Sequence, residues 1–145
     1  MANQQNETLV RRLLELMDQP QLPSDYTQLF DPHFKGHYPI PGGAPEGFKD
    51  IYDFWHGPFP DVRMTVEQML SDGDLVAAHW TLHGTNTGNF FGNKPTGKKI
   101  DISVTGIFRC HNGKMAEAWI SPDRLGVMEQ LGIVEPRDIR QRRAA

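Results

Sequence analysis

Apolar residues recur at helical spacing between Asn3 and Gln19 and at strand spacing from Val62 onward, so the chain reads as helices followed by sheet. Leu9, Val10, Leu13, Leu14, Leu16 and Met17 mark one face of a first helix, which Pro20 stops. A short helical turn is expected around Ser24 to Phe30. The proline- and glycine-rich segment DPHFKGHYPIPGG, residues 31 to 43, reads as a brief strand and loop. Pro45 is then expected to open a second amphipathic helix with the stripe Phe48, Ile51, Tyr52 and Trp55, closed by Gly57-Pro58.

From there the period becomes two. Val62, Met64, Val66, Gln68 and Leu70 alternate with Arg63, Thr65 and Glu67, and Asp72-Gly73 turns the chain into a strand from Leu75 to Thr85. Ile100, Ile102, Val104, Gly106, Phe108 and Cys110 form one face of a third long strand, and Asn112-Gly113 leads into a fourth, Lys114 to Ser121. Parity puts Val76, Ala78, Trp80 and Leu82 on one face of the second strand and His79, Thr81 and His83 on the other. The order predicts an α+β class in which the N-terminal helices pack on a strongly curved antiparallel sheet and enclose a pocket.

At 145 residues with a net charge of −3, the chain has the size of one domain and lacks the basic footprint of a nucleic-acid binder. A single domain is expected over 1–135, followed by a solvated basic tail over 136–145. One cysteine, Cys110, excludes an internal disulfide. No apolar run is long enough to span a bilayer, and the expected location is cytoplasmic. His79 and His83 stand roughly 13 Å apart on an extended strand, and His33 and His37 flank Pro32, Gly36 and Pro39, so neither pair reads as a metal site. No metal or organic cofactor is expected.

The richest stretch for chemistry is KMAEAWISPDRLGVMEQLG, where an aromatic strand runs through Pro122, presents Asp123 and turns into a helix. Burial against Trp119 would disfavour the Asp123 anion and equip the carboxyl to take and return a proton. Ser121-Pro122-Asp123 also has the composition of an ordinary helix start, in which Asp123 serves the first turn. Taken alone, these residues favour the cap.

The segment LVAAHWTLHGTNTGNFFGNKPTGKKIDISVTGIFRCHNGKMAEAWISPDRLGVMEQLG, together with DPHFKGHYP, EGFKDIYDFW and FPDVRMTVEQMLSDGD upstream, closely resembles the SnoaL-like polyketide cyclases of the nuclear-transport-factor-2-like superfamily. The resemblance covers nearly the whole chain. It implies a cone-shaped α+β fold that self-associates through the outer sheet face as a homodimer or higher homo-oligomer. It also implies a cofactor-independent enzyme in which an aspartate at the position of Asp123 abstracts an acidic C–H proton and sets off an intramolecular aldol closure of an apolar polycarbonyl substrate.

The family's histidine after the first strand matches His37, which would hydrogen-bond a carbonyl as enolate charge develops, or else anchor its loop. The family's glycine-threonine-histidine motif becomes Gly84-Thr85-Asn86 here, and Asn86 cannot shuttle a proton at neutral pH. The resemblance also sets Gly106 where characterised anthracycline cyclases tend to carry a polar side chain facing the substrate, so space is expected there. Tyr38, Trp55, Trp80, Asn86, Val104, Gly106 and Trp119 are the expected substrate-binding residues, with Asp123 and His37 as the catalytic pair. An isomerase or dehydratase would need the same parts, and a small-molecule-binding module without chemistry is the non-enzymatic alternative, which Asn86 and Gly106 favour.

Overall fold

The computed structural model describes residues 1–38 and 47–135. Helix α1 spans Gln4–Met17 and starts at Asn3, whose side chain accepts from the Asn6 N–H. It buries Leu9, Val10, Leu13, Leu14 and Met17, so the helical stripe read from the sequence is its core face. A 3₁₀ turn, Tyr26–Leu29, leads into strand β1, Phe30–His37. Helix α2, Phe48–His56, buries Phe48, Ile51, Tyr52 and Trp55. It also holds the end of α1: His56 Nε2 lies 2.8 Å from the Met17 carbonyl oxygen, and the Tyr52 hydroxyl donates to the Gln19 carbonyl. Pro45 and the basic tail lie outside the described residues.

Strands β2 (Arg63–Asp72), β3 (Leu75–Thr85), β4 (Lys99–His111) and β5 (Lys114–Pro122) form the expected antiparallel meander. The sheet order is β1-β5-β4-β3-β2, and β1 runs parallel to β5. The sheet is therefore mixed rather than wholly antiparallel, because the chain leaves β1 and returns to its edge with β5, after three intervening strands. Burial alternates strictly along β3 and β4, and Val76, Trp80, Leu82, Ile102, Val104 and Phe108 face the helices. The whole is a curved, unclosed sheet with helices over one face, a cone-shaped α+β fold.

Two bulges reset the faces. Val66 pairs with Trp80 but Gln68 pairs with His79, so Glu67 is an extra residue in β2. Beyond it Met69 turns inward and Leu70, expected on the apolar face, is 65% exposed. In β5, Arg109 pairs with Glu117 and Cys110 with Met115, which leaves Ala116 unpaired and carries Met115 into the core.

Helix α3, Arg124–Gln130, follows β5 directly. The Gln130 side chain joins it to the sheet by accepting from the Asp101 N–H at 2.8 Å and donating to the Asp101 carbonyl at 3.0 Å. Val127 and Leu131 are buried beneath it.

Candidate active site

Inward-facing side chains of β1, β3, β4 and β5 meet α1 and α2 around an interior cavity of about 40 Å³. Tyr38, Trp55, Trp80 and Val104 are brought together at its wall. The remaining wall is apolar, from Leu13, Met17, Phe34, Ile51, Met64 and their neighbours. Trp55 Nε1 donates to the Tyr38 hydroxyl at 3.0 Å. Burial pushes the Tyr38 phenol up to about 12, against the opposing effect of the Trp55 hydrogen bond, so this group stays neutral at physiological pH. The Trp80 ring is 3% exposed, and among the described residues its indole nitrogen is the buried side-chain polar atom with no hydrogen-bond partner.

Trp55 also borders a second, larger chamber of about 300 Å³. This lies between the Phe54–Trp55 end of α2, the Phe90–Phe91 turn, and Val127 and Met128 of α3, with Pro122 and Arg124 on its α3 side. Phe91 is 57% exposed and holds a left-handed backbone, φ 47°, which an aromatic residue rarely adopts. Of these aromatic walls only Trp55 was among the expected substrate-binding residues; Phe54, Phe90 and Phe91 were not. The adjacent pair Phe90-Phe91 in an otherwise polar loop is the signal that could have found them.

Asp123 stands between two residues of that chamber, Pro122 and Arg124, but it is exposed to solvent. Its Oδ1 accepts from the Gly126 N–H at 2.9 Å, and its own N–H donates to the Ser103 carbonyl at 3.0 Å. The expected burial against Trp119 does not occur. Trp119 pairs with Ile107 across β4 and with His37 across β1, and parity sends its ring to the outer sheet face. There it stacks on His37, 5.2 Å between ring centres, and carries the Arg109 guanidinium 5.5 Å from its centre. His37 Nε2 lies 2.8 Å from Glu117 Oε2, so His37 belongs to this outer cluster and stands apart from both cavities.

The space expected at Gly106 is filled. A Cβ there would lie 2.8 Å from both Ile120 Cδ1 and Trp80 Cη2, and 3.0 Å from Phe108 Cε2. Glycine at this position lets the Trp80 indole lie over the sheet. Asn86 is 1% exposed and occupied elsewhere: its amide donates to the Gly88 carbonyl at 2.8 Å and the Pro58 carbonyl at 3.3 Å. Its oxygen accepts from the Thr96 N–H at 2.8 Å and hydroxyl at 2.9 Å. It ties the loop after β3 to the end of α2.

Among the described residues no three His, Cys, Asp or Glu side chains come together in a way that could hold a metal ion, and no helix is long and apolar enough to cross a membrane.

Solved structures share this architecture over nearly the full length. AclR of Streptomyces galilaeus, a proposed hydroxylase, is 19% identical with a TM-score of 0.84, covering 98% of this chain and 94% of its own. A proposed SnoaL-like polyketide cyclase from Jannaschia sp. CCS1 is 24% identical with a TM-score of 0.78, covering 92% and 94%. IdmH of Streptomyces antibioticus, a proposed polyketide cyclase, is 27% identical with a TM-score of 0.72, covering 88% and 99%. A search of curated proteins finds no match. The family model for SnoaL-like polyketide cyclase matches residues 7–131, and with this fold around these two cavities the chain belongs to the SnoaL-like polyketide cyclase family.

Proposed function

We propose that this protein is a cofactor-independent acid–base enzyme of the polyketide-cyclase type, acting on a largely apolar substrate that carries carbonyl groups. The observation that carries the reading is the aromatic chamber of about 300 Å³, whose lining residues Pro122 and Arg124 flank Asp123 in the chain. Phe54, Phe90 and Phe91 offer ring faces to a flat substrate. One Asp123 oxygen is held by the Gly126 N–H, which fixes the carboxylate and leaves Oδ2 to act.

In the proposed reaction Oδ2 takes a proton from a carbon flanked by carbonyls. The enolate carbon attacks an internal carbonyl, a C–C bond closes the ring, and the resulting alkoxide recovers the proton from the Asp123 carboxyl. Isomerisation or dehydration needs the same proton transfers on a different substrate. His37 has no part in this version, because it faces the opposite side of the sheet.

A non-catalytic binding module is the second reading, and one observation favours it: Asp123 is exposed and acts as the cap of α3. The two separate on a linear aryl polycarbonyl ester, with ring closure followed above the spontaneous rate. An enzyme loses that excess rate when Asp123 becomes Asn, whereas a binding module never shows it.

We also propose a homodimer through the outer sheet face. Ile107 is 45% exposed there beside Trp119. Further along the same face His79, Thr81 and His83 are hydrogen-bonded to Ser103, Glu67 and Thr65, so their polar groups are already partly satisfied within the chain.

A further inference from the structure

The interior cavity has an unusual polarity. Its lining side chains carry three strong polar groups, the Tyr38 hydroxyl and the indole N–H groups of Trp55 and Trp80. Trp55 spends its hydrogen on Tyr38 Oη, which occupies that oxygen as an acceptor and directs the phenol hydrogen elsewhere. Among the described residues neither the Tyr38 hydrogen nor the Trp80 N–H meets an acceptor. A buried N–H without a partner is costly, and it persists where something else satisfies it. Beyond the occupied Tyr38 oxygen, the side-chain acceptors among the described lining residues are the weak thioethers of Met17 and Met64. Two residues of the cavity wall therefore each carry a donor that meets no acceptor among the described residues.

We infer that the interior cavity is a carbonyl-selecting subsite, in which Trp80 Nε1–H and Tyr38 Oη–H receive a ketone-type oxygen of the ligand and discriminate against the corresponding alcohol. The inference rests on reading the cavities either side of Trp55 as the substrate site, and it deepens that reading by naming the group that is recognised. A carbonyl oxygen accepts and brings no hydrogen of its own. A hydroxyl can accept as well, but its own O–H would then be buried facing only thioethers and an occupied phenol oxygen. At about 40 Å³ the cavity has room for the oxygen end of a ligand. The attached ring must displace wall side chains, and the unbranched Met17 and Met64 are the ones that re-pack most readily. Gly106 belongs to the same device, since it is the position that admits the Trp80 ring.

The test compares 1-tetralone with 1-tetralol, which share a ring frame and differ in the oxygen, by equilibrium dialysis against the whole protein. The ketone should bind about tenfold tighter than the alcohol or better. Tyr38→Phe keeps the ring and removes its donor, and Trp80→Phe keeps an aromatic wall without the N–H. Each is checked for folding by its melting curve, and in at least one of them the preference should fall to within about threefold, which identifies the donor. Equal binding of the two probes by the wild type, no binding of either at millimolar concentration, or a preference that survives in both variants would overturn the proposal. Binding is read without turnover, so Asp123→Asn should retain the ketone preference even where ring closure is lost, and the two proposals fail on different measurements.

Discussion

The Asp123 carboxylate lies directly over the α carbon of Gly126: a Cβ on that glycine would come within 2.2 Å of Oδ2 and 2.7 Å of Cγ. Only a residue without a side chain lets the carboxylate occupy this position, so Gly126 determines where the proposed base stands.

Asp123→Asn preserves volume and some capping ability while removing the base. If Asp123 is the catalyst, ring closure should fall by about 10²–10⁴-fold with folding intact. If it is only a cap, the change should cost at most about 1 kcal/mol of stability and leave the rate nearly unchanged. A melting curve and a rate on the same preparation separate the two. Gly126→Ala should lower both, because displacement of the carboxylate outweighs the gain of about 1 kcal/mol in helix propensity.

Asn86→His introduces the histidine that the sequence resemblance implies for this position, and it should gain no activity. Asn86 makes four side-chain hydrogen bonds at 1% exposure, and an imidazole cannot reproduce them. A loss of about 2 kcal/mol is expected in denaturant unfolding. A stable, more active variant would show that residue 86 can reach the substrate.

Gly106→Ala should destabilise the fold by about 1–3 kcal/mol, since its Cβ meets Trp80 and Ile120 at 2.8 Å. The same shift of the Trp80 ring should change its near-ultraviolet circular dichroism. An unperturbed spectrum at wild-type stability would mean that the indole does not depend on this glycine.

Tyr38 links the interior to pH. Its phenol ionises at about 12 in the folded chain against 10.0 ordinarily, so the folded state favours the neutral form. The contribution, about 3 kcal/mol, is fully present below pH 10 and is lost as pH rises through about 12. Phenolate absorbance should show a late-ionising tyrosine coinciding with alkaline unfolding, and Tyr38→Phe should remove that step.

Sedimentation at micromolar concentration should give a dimer, and Ile107→Lys, which sets a charge on the outer face, should give monomer with the fold unchanged. A wild type that stays monomeric would end the dimer proposal.

Periodicity along the chain was enough to place α1, β3 and β4 and to say which of their side chains face inward. That legibility has a physical basis: an element buried on one side must repeat its apolar residues at its own period, and the record is local. Tyr38, Trp55, Trp80 and Val104 could be named as neighbours for the same reason, since each lies on an inward face. What the tertiary structure decided is what depends on distant partners. The extra residues Glu67 and Ala116 shift the strand register without marking the composition, so Leu70 faces water and Met115 the core. The parallel pairing of β1 with β5 sends His37 to the outer face with Trp119, although the sequence resemblance implied a catalytic role for it. Asp123 was legible as both a cap and an acid, and only the packing of α3 against β4 decided that it stands exposed over Gly126, because a side chain's access to water is set by what the rest of the chain lays over it.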